Sequence, residues 1–367
     1  MSGGLKRPDR LARARAILEA SQLDAMLISR PAASRWLSGF ALRPGDELTS
    51  GWSGTLLLTR EARLVLADAR YTEQAAAECP GWEVRRTRGR LHEELPRIAA
   101  ELGARRLGAE AETLRHADWT PLEEAGLELV PVDEQLTALR LRKDPDEVAA
   151  IGRACALTDA CLAHLLDWVR PGMTERQVAW ELAGWFNANG AEALAFEPLV
   201  LVGARAAMPH GHATDAVLER GQALLLDFGC QVDGYRSDMT RTVFYGEPDV
   251  EARRRYEAVR EAQQRAFEAL APGVIGTDVD AAARRHLEGA GLGEAFTHGL
   301  GHGIGLETHE APMLLHWDRP LEAGMVFTLE PGVYFAGEMG IRIEDDVVLE
   351  EGGPRRLTTA SRELLVM

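Results

Sequence analysis

Blocks of apolar and polar residues alternate along the first third of the chain with the spacing of short strands and amphipathic helices. The predicted strands lie at residues 24–29, 54–59, 62–68, 82–87, 106–110 and 127–132, and the predicted helices at 9–22, 71–78, 91–102 and 119–124. This alternation is typical of an α/β sheet domain, which we assign to residues 1–135. The segment has no spaced His, Cys or carboxylate cluster and no glycine-rich phosphate loop, so we expect it to support and assemble the protein.

Longer helical patterns follow the predicted domain boundary. A helix is expected from Pro145 to about Trp168, because Asp144 suits the N-cap and proline suits the first helical position. Further helices are predicted at about 174–189, 249–270 and 277–290, and strand patterns at 194–203, 224–242, 325–335 and 341–349. A chain of 367 residues is long for a single core. We therefore predict a second domain over residues 136–367.

Residues 224–242 predict a β-hairpin with one aspartate on each strand. An apolar run ends in Asp227, a turn is expected at Asp233-Gly234, and the returning run carries Asp238. This register places the two carboxylates on one face as direct or diagonal neighbours. At a separation of roughly 5–8 Å they repel each other on a half-buried face, which favours a bound cation between them. The alternative is a solvated hairpin with two surface aspartates.

Three histidines lie in one glycine-rich stretch, residues 297–310: His298, His302 and His309. Glycines on both sides of His302 would allow the backbone to pass close to a bound ion. We therefore expect a ligand loop, and a surface loop with incidental histidines is the alternative.

Two apolar strand patterns near the C-terminus carry glutamates. Residues 325–335 are interrupted at Glu330, and residues 341–349 have Glu344 in their middle. Glutamate inside an apolar strand is unfavourable unless it is paired or bound to a metal. The two-residue period of a strand places Arg342 on the face of Glu344, so we expect Arg342 to brace a nearby carboxylate.

Together these segments supply four carboxylates and one imidazole. They come from Asp227, Asp238, His302, Glu330 and Glu344. An oxygen-rich donor set suits Mn²⁺ or a similar dication, and carboxylates can bridge two ions roughly 3.5–4 Å apart. Such a site produces a bridging hydroxide at neutral pH and polarises a carbonyl, which are the two requirements of amide hydrolysis.

Composition narrows the possible partners and the compartment. The formal net charge of −16 argues against nucleic acid or an anionic membrane as a partner. Basic charge is almost all arginine, since Lys6 and Lys143 are the only lysines. The four cysteines have no regular spacing, and neither a signal peptide nor an apolar run of about 18 residues is evident. We therefore expect a cytoplasmic protein.

The chain resembles a known family in five of these segments. LLLDFG, SDMTRT, GHGIGLETHE, TLEPGVY and RIEDD stand in the order and spacing of the pita-bread metallopeptidases, which include aminopeptidase P, prolidase and methionine aminopeptidase. SGF, GTLLLT and DARYTEQA are similar to the N-terminal domain of short bacterial aminopeptidases P and prolidases. The resemblance implies an α/β creatinase-N-like domain, an α+β pita-bread catalytic domain and a homodimer. The additional N-terminal domain disfavours a methionine aminopeptidase.

The same resemblance implies two divalent metal ions per chain, with manganese preferred and zinc or cobalt as alternatives. Asp227 and Asp238 would bind the first ion and His302 one of the two. Glu330 and Glu344 would complete the pair, with Asp238 and Glu344 shared between the ions. Glu330 would also act as the general base or proton carrier.

Further residues match positions around the substrate of family members. His210 matches a histidine beside the scissile bond, and His309 matches one that contacts the carbonyl on the proline side. His298 matches a pocket-lining histidine more weakly, and a structural role is the alternative. Arg342 is a further candidate for substrate contact.

The resemblance implies a proline-specific metallopeptidase that hydrolyses Xaa-Pro bonds, with an Xaa-Pro dipeptidase preferred over an aminopeptidase P. Prolidases typically carry a carboxylate-binding arginine about fourteen residues before the Glu330 position, where this chain has His316. The polar loop 41–51 carries Arg43, which would supply that cation in its own subunit or in a partner's. A non-catalytic pita-bread binding protein is a distant alternative, because such a protein is expected to lose ligands.

Overall fold

The structure is a computed structural model that describes residues 8–43, 46 and 51–367. It divides into two compact units, Met1–Arg140 and Leu141–Met367. The predicted domain boundary at 135 falls inside the helix Asp133–Leu141, a few residues before the boundary between the units.

The N-terminal unit is built on one six-stranded sheet with the order β4-β3-β2-β1-β5-β6. Its strands are β1 (Ala25–Ile28), β2 (Leu56–Thr59), β3 (Arg63–Ala67), β4 (Glu83–Arg86), β5 (Arg106–Ala109) and β6 (Glu128–Pro131). The helices that the structure describes in this part of the chain are α1 (Pro8–Ala20), α2 (Pro31–Ser38), α3 (Thr72–Glu78), α4 (Leu91–Glu101), α5 (His116–Glu124) and α6 (Asp133–Leu141). The sheet is mixed, because β1 pairs antiparallel with β2 and parallel with β5. The predicted strands and helices are confirmed, whereas α2 and α6 were not predicted.

The second unit combines four helices with several small sheets. Its helices are α7 (Pro145–Trp168), α8 (Glu175–Ala188), α9 (Val250–Ala269) and α10 (Gly276–Gly289), and its strands are β7 (Ala193–Leu194), β8 (Leu199–Val202), β9 (Ala223–Phe228), β10 (Cys230–Val232), β11 (Tyr235–Arg236), β12 (Met239–Phe244), β13 (His302–Gly303), β14 (Glu310–Met313), β15 (Val326–Leu329), β16 (Gly332–Phe335), β17 (Met339–Arg342), β18 (Asp345–Glu350), β19 (Gly353–Arg356) and β20 (Leu365–Val366). The two larger sheets have the orders β20-β12-β9-β8 and β14-β13-β15-β18-β19.

Two apolar cores hold the second unit together. One joins α7 and α8 to the sheet that contains β9, through residues such as Leu162, Leu182 and Leu226. The other joins α9 and α10 to the five-stranded sheet, through residues such as Val259 and Phe327. The strands that carry the predicted ligands are therefore packed against helices rather than exposed as loops.

Helix α7 is the most apolar long helix. By length and composition alone it would qualify as a membrane-crossing helix, although 44% of its most apolar 18-residue window is buried inside the protein. Its charged residues contact other parts of the same unit. Arg153 Nη2 lies 2.5 Å from Asp233 Oδ2, and Asp159 Oδ2 accepts hydrogen bonds from the backbone N–H and the hydroxyl of Thr359. A core helix of a globular domain has this composition and these contacts.

The predicted hairpin is confirmed, including its turn. Asp233 and Gly234 both have positive φ, 52° and 88°, as the tight turn of a two-residue hairpin requires. The strands are less regular than predicted, because β9 and β10 are separated at Gly229 and β11 and β12 at residues 237–238. At this interruption the backbone of Gly229 approaches Ser237 so closely that an added Cβ would lie 1.8 Å from the Ser237 carbonyl oxygen.

The prediction of one continuous strand over residues 341–349 is wrong. Residues up to Arg342 form β17, which pairs with β16, whereas β18 begins at Asp345 and pairs with β15 in a different sheet. Glu344 lies in the crossing between them, where its backbone N–H donates to the Thr240 carbonyl oxygen at 3.1 Å. Two-residue alternation in a sequence cannot reveal a change of sheet, because both halves keep the pattern.

Replacing Gly229 by alanine is expected to destabilise the protein by about 1–3 kcal/mol or more, because the backbone must shift to admit the methyl group. Gly152 is the matched control, since it lies within α7 and its Cβ would meet nothing within 4 Å. Alanine there should stabilise by up to about 1 kcal/mol through helix propensity. Thermal or urea unfolding of both variants tests this, and equal effects would contradict it.

Candidate active site

The second unit contains a cavity of about 500 Å³. Its lining includes all the predicted metal ligands and most of the predicted substrate contacts: Asp227, Asp238, His302, Glu330, Glu344, His210, His298, His309, His316 and Arg342. Most of these residues come from the hairpin, the histidine-rich stretch and the two C-terminal strand segments, whereas His210 precedes the hairpin and His316 follows the histidine-rich stretch. The fold therefore brings together groups that are up to about 130 positions apart in the chain.

The hairpin presents its two aspartates diagonally. Asp227 pairs with Thr240 across the β9–β12 ladder, and Asp238 precedes Thr240 by two positions, on the same face. The backbone N–H of Asp238 donates to Asp346 Oδ2 at 2.9 Å, which fixes the interruption just before β12. Both aspartates therefore face one space, as the hairpin register predicts.

Thr240 connects three charged side chains. Its hydroxyl donates to Glu344 Oε2 at 2.6 Å and accepts from Arg342 Nε at 2.9 Å. Arg342 Nη2 in turn donates to Asp227 Oδ2 at 2.5 Å. Arg342 thus braces a carboxylate, as its alternation with Glu344 suggests, and that carboxylate is Asp227. The arginine holds Asp227 through one oxygen and leaves the other oxygen toward the cavity.

His302 is held in one tautomer by its own backbone. Its Nδ1 lies 3.1 Å from the Gly303 carbonyl oxygen, which can only accept, so Nδ1 carries the proton. The Nε2 lone pair therefore faces Asp238 Oδ2 at 3.8 Å and Glu330 Oε1 at 3.4 Å. Burial lowers the pKa of His302 to about 3, so the ring is neutral at pH 7. A neutral imidazole with a free lone pair is the form that binds a metal ion.

The glycines beside His302 allow the backbone to pass close to the neighbouring strands. A Cβ on Gly303 would lie 2.2 Å from the Ala311 carbonyl oxygen, and one on Gly301 would lie 2.0 Å from that of Thr328. Neither position therefore has room for a side chain. The close approach allows β13 to lie between β14 and β15 with His302 directed at the carboxylates.

The charged forms of the cavity carboxylates are electrostatically unfavourable. Burial, followed by repulsion from Glu344 and Asp227, raises the pKa of Asp238 well above its usual range. Burial, followed by repulsion from Glu330 and Asp227, does the same for Glu344, and burial raises the pKa of Glu330 to about 8. Divalent cations among these groups would offset both causes.

The geometry of the donor atoms fits such cations. Ligand atoms of Asp238, His302 and Glu344 all lie within 4.8 Å of one another, and all three residues are buried. One oxygen each of Asp227, Asp238 and Glu344 is buried with no hydrogen-bond partner among the described residues. Buried carboxylate oxygens rarely stay unpartnered, so oxygen-preferring divalent ions suit this site.

A hydrogen-bond chain extends from the cluster to His298. Arg342 Nη1 donates to the Tyr334 hydroxyl oxygen at 2.8 Å, and that hydroxyl lies 2.8 Å from His298 Nε2. His298 Nδ1 donates to the Gly299 carbonyl oxygen, so Tyr334 must donate to Nε2. Burial lowers the pKa of His298 to about 4, which keeps Nε2 an acceptor. His298 lines the cavity, but both of its nitrogens are already engaged.

The other predicted contact residues lie at the open side of the cavity or outside the described site. His210, His309 and His316 are exposed and line the cavity, and the ring centroids of His309 and His302 are 4.1 Å apart. Arg43 is an exposed residue of the N-terminal unit. The rest of its predicted lid loop at 44, 45 and 47–50 lies outside the described residues.

Sequence reasoning missed Thr240 and Tyr334, although both lie inside the segments that carry the family resemblance. Thr240 stands two residues after Asp238 on the same strand face, and Tyr334 stands four residues after Glu330. The two-residue period after Asp238 could have identified Thr240. No comparable signal exists for Tyr334, because its role depends on the pairing of β16 with β17.

Comparison with known families accounts for nearly the whole chain. Residues 149–351 match metallopeptidase family M24, and residues 10–142 match the creatinase/prolidase N-terminal domain. The two matches leave only short segments uncovered, and the first includes every residue of the candidate site that lies in the second unit.

Individual proteins with related sequences or structures carry proline-peptidase names. The Xaa-Pro dipeptidase of Pyrococcus furiosus is 41% identical over 239 residues, which are 65% of this chain and 69% of that protein. The structure of an Xaa-Pro dipeptidase from Bacillus anthracis has a TM-score of 0.91 at 34% identity and covers 99% of this chain and 100% of that one. The X-Pro aminopeptidase of Thermotoga maritima has a TM-score of 0.86 at 36% identity, covering 98% and 100%.

These matches agree with the residues of the cavity. The fold is therefore an α/β N-terminal domain followed by an α+β pita-bread catalytic domain, as the sequence resemblance implies. The chain belongs to metallopeptidase family M24.

Proposed function

We propose that the protein is an Xaa-Pro dipeptidase that uses divalent metal ions to hydrolyse the bond before proline. The observation that carries this proposal is the set of buried carboxylate oxygens without a partner among the described residues, facing one neutral imidazole in a cavity of about 500 Å³. A hydrolase of this family needs such a donor set, and a binding protein on the same fold would not.

We propose that Asp227, Asp238, His302, Glu330 and Glu344 hold two divalent ions, with manganese preferred and zinc or cobalt as alternatives. The preponderance of carboxylate oxygens supports a hard dication. Bound ions of this kind supply an activated water molecule and polarise the substrate carbonyl. Asp238 and Glu344 would be the ligands shared between the ions, because neighbouring carboxylates repel both of these buried groups and raise the pKa of each well above its usual range.

The chain's own residues would handle protons and orientation. Glu330 is the proposed general base or proton carrier, because its carboxylate lies on the cavity wall beside His302, where an activated water molecule would be held. His210 and His309 are at the open side of the cavity, where a substrate enters. Burial and the nearby His210 lower the pKa of His309, so its ring is neutral and is able to accept or donate one hydrogen bond at the scissile amide.

The preference for dipeptides rests on the end of the substrate. A dipeptide has a free carboxylate directly after proline, and His316 on the cavity wall or Arg43 of the 41–51 loop would bind it. The named dipeptidases among similar proteins support this choice. The structural similarity to the X-Pro aminopeptidase of Thermotoga maritima supports the second candidate, an aminopeptidase P that acts on longer peptides with proline at the second position.

We further propose that the protein works as a cytoplasmic homodimer, with residues 1–135 supporting the catalytic domain and forming the contact between subunits. All four cysteines are free and buried, which is consistent with a reducing compartment. The 41–51 loop would then close over a site of its own subunit or of the partner.

Asp238→Asn is expected to remove bound metal and to lower turnover of an Xaa-Pro dipeptide by more than the roughly 10- to 100-fold typical of groups that only support a ligand. Asp233→Asn is the matched control, because Asp233 lies in the turn of the same hairpin and contacts Arg153 at the surface. Elemental analysis after dialysis and dipeptide turnover are the measurements. Full activity in Asp238→Asn, or full activity in a wild type without metal, would refute the metal proposal.

His210→Ala is expected to retain its metal and to lose about 10²-fold in kcat, as for a group that transfers a proton or contacts the reacting atoms. His164→Ala serves as the control, since His164 pairs with Glu181 at 2.7 Å outside the cavity lining. A kcat for His210→Ala that matches the control would exclude His210 from the reaction.

Arg43→Ala and His316→Ala distinguish a dipeptidase from an aminopeptidase. A charge-assisted contact with the free carboxylate contributes about 1.5–3 kcal/mol, so its loss should lower kcat/KM for an Xaa-Pro dipeptide by roughly 10- to 150-fold. The same variant should have no effect on the dipeptide amide, which lacks that carboxylate. If the wild type cleaves Xaa-Pro-Xaa tripeptides as fast as dipeptides, the aminopeptidase assignment is correct.

A further inference from the structure

A buried ion pair lies directly behind the cavity at His309. Lys143 Nζ is 2.6 Å from Glu310 Oε1, and the two side chains are only 2% and 7% exposed. Glu310 follows His309 in the chain and begins β14. His309, in the bend just before β14, lines the cavity, whereas the Glu310 side chain is directed into the protein toward Lys143.

The lysine itself is unusual in this chain. Of 41 lysine and arginine residues, only Lys6 and Lys143 are lysines. Among the described residues, guanidinium groups form most of the other ion pairs, at exposed and buried places alike. A compact ammonium requires less space and fewer partners than a planar guanidinium. The presence of lysine at this position of an arginine-rich chain therefore indicates that the space around the charged group is limited.

The pair also connects the segments that carry proposed ligands. The backbone N–H of Lys143 donates to the Gly324 carbonyl oxygen at 2.7 Å, just before the strand that leads to Glu330. A Cβ on Gly305 would lie 2.5 Å from Glu310 Oε1, so the Glu310 carboxylate is packed against the loop after His302. The ion pair therefore sits where the histidine-rich stretch meets β15.

A second anchor holds the other side of His309. The Thr308 hydroxyl donates to the Ala195 carbonyl oxygen at 3.1 Å and accepts from Arg236 Nη1 at 2.9 Å. His309 is thus an exposed ring between two residues whose side chains are buried and bonded. A buried ion pair is weak evidence of stability, because desolvation offsets much of the attraction. Its position suggests control of geometry.

We propose that the Lys143–Glu310 ion pair is a positioning element that holds the His309 imidazole against the substrate. The inference rests on the proposed function, and in particular on a part for His309 in the reaction. Glu310 and Lys143 do not touch the substrate. They fix the start of β14 directly after His309, so that the His309 ring needs no reorganisation when the substrate binds.

A double-mutant cycle on the metal-loaded enzyme tests the proposal. Glu310→Gln, which keeps the shape and removes the charge, is made in the wild type and in His309→Ala, and Lys143→Met is made alongside. In the wild type each is expected to lower kcat by about 10-fold with bound metal unchanged. In the His309→Ala background, Glu310→Gln should change kcat by less than about twofold, the usual error of additivity.

Glu110→Gln is the control for a merely structural effect, because Glu110 is a buried carboxylate of the N-terminal unit that accepts from the backbone of Ser29 and Arg30. It is expected to lower the unfolding temperature without changing kcat. If Glu310→Gln does not fold, Glu310→Asp, which keeps the charge and shortens the reach, takes its place in the cycle.

Two results of the cycle, and a third from one of its single variants, would overturn the inference. One is an equal loss of kcat in both backgrounds, and the other is a loss of kcat that follows a loss of metal, which would mean that the pair serves His302 instead. A His309→Ala variant with unchanged kcat would overturn it too. A wild type that hydrolyses no Xaa-Pro peptide would refute the proposed function itself. That outcome differs from those that overturn this inference, so the experiment distinguishes the two.

Discussion

The repulsion among four closely placed carboxylates is the constraint on which the rest of the catalytic unit depends. Asp238 and Glu344 are buried, and burial together with repulsion from neighbouring carboxylates raises the pKa of both. Such a cluster persists only where the surrounding structure fixes it and where positive charge is near. Arg342 supplies one such charge to Asp227, and Thr240 connects that arginine to Glu344. Divalent ions are the natural complement, because they act on several of these oxygens at once.

The irregularities of the backbone occur where this cluster is assembled. The hairpin is interrupted beside Asp238, the strand ending at Leu329 gives way to Glu330, and the chain changes sheets at Glu344. A regular strand would turn alternate side chains away from the cavity and would limit how many carboxylates face one point. Close backbone contacts at Gly229 and Gly303 then allow the interrupted segments to pack tightly. The local departures from regular geometry are therefore the means by which distant carboxylates converge.

Behind the side chains that line the cavity lies a layer of buried polar contacts. Tyr334 orients His298 and Arg342, the Gly303 carbonyl sets the tautomer of His302, and the Lys143–Glu310 pair adjoins His309. Buried polar contacts of this kind contribute little net stability, yet each admits few alternative geometries. These contacts therefore mainly orient the side chains around the cavity, whereas the two apolar cores of the unit stabilise its fold.

The sequence alone determined the hairpin with its Asp233-Gly234 turn, most of the helices and the five candidate ligands, because these depend on local chemistry and on short periods. Asp144, for example, is the N-cap of α7 as the sequence predicts, and its backbone N–H donates to Glu147 Oε2 at 2.8 Å. Only the tertiary structure decided which groups meet. It placed Glu344 in a crossing between two sheets rather than within one strand, joined Arg342 to Asp227, and brought Lys143 to Glu310 across 167 positions of the chain. Periodicity records the face on which a side chain lies, but contacts between distant segments depend on how the sheets and helices pack.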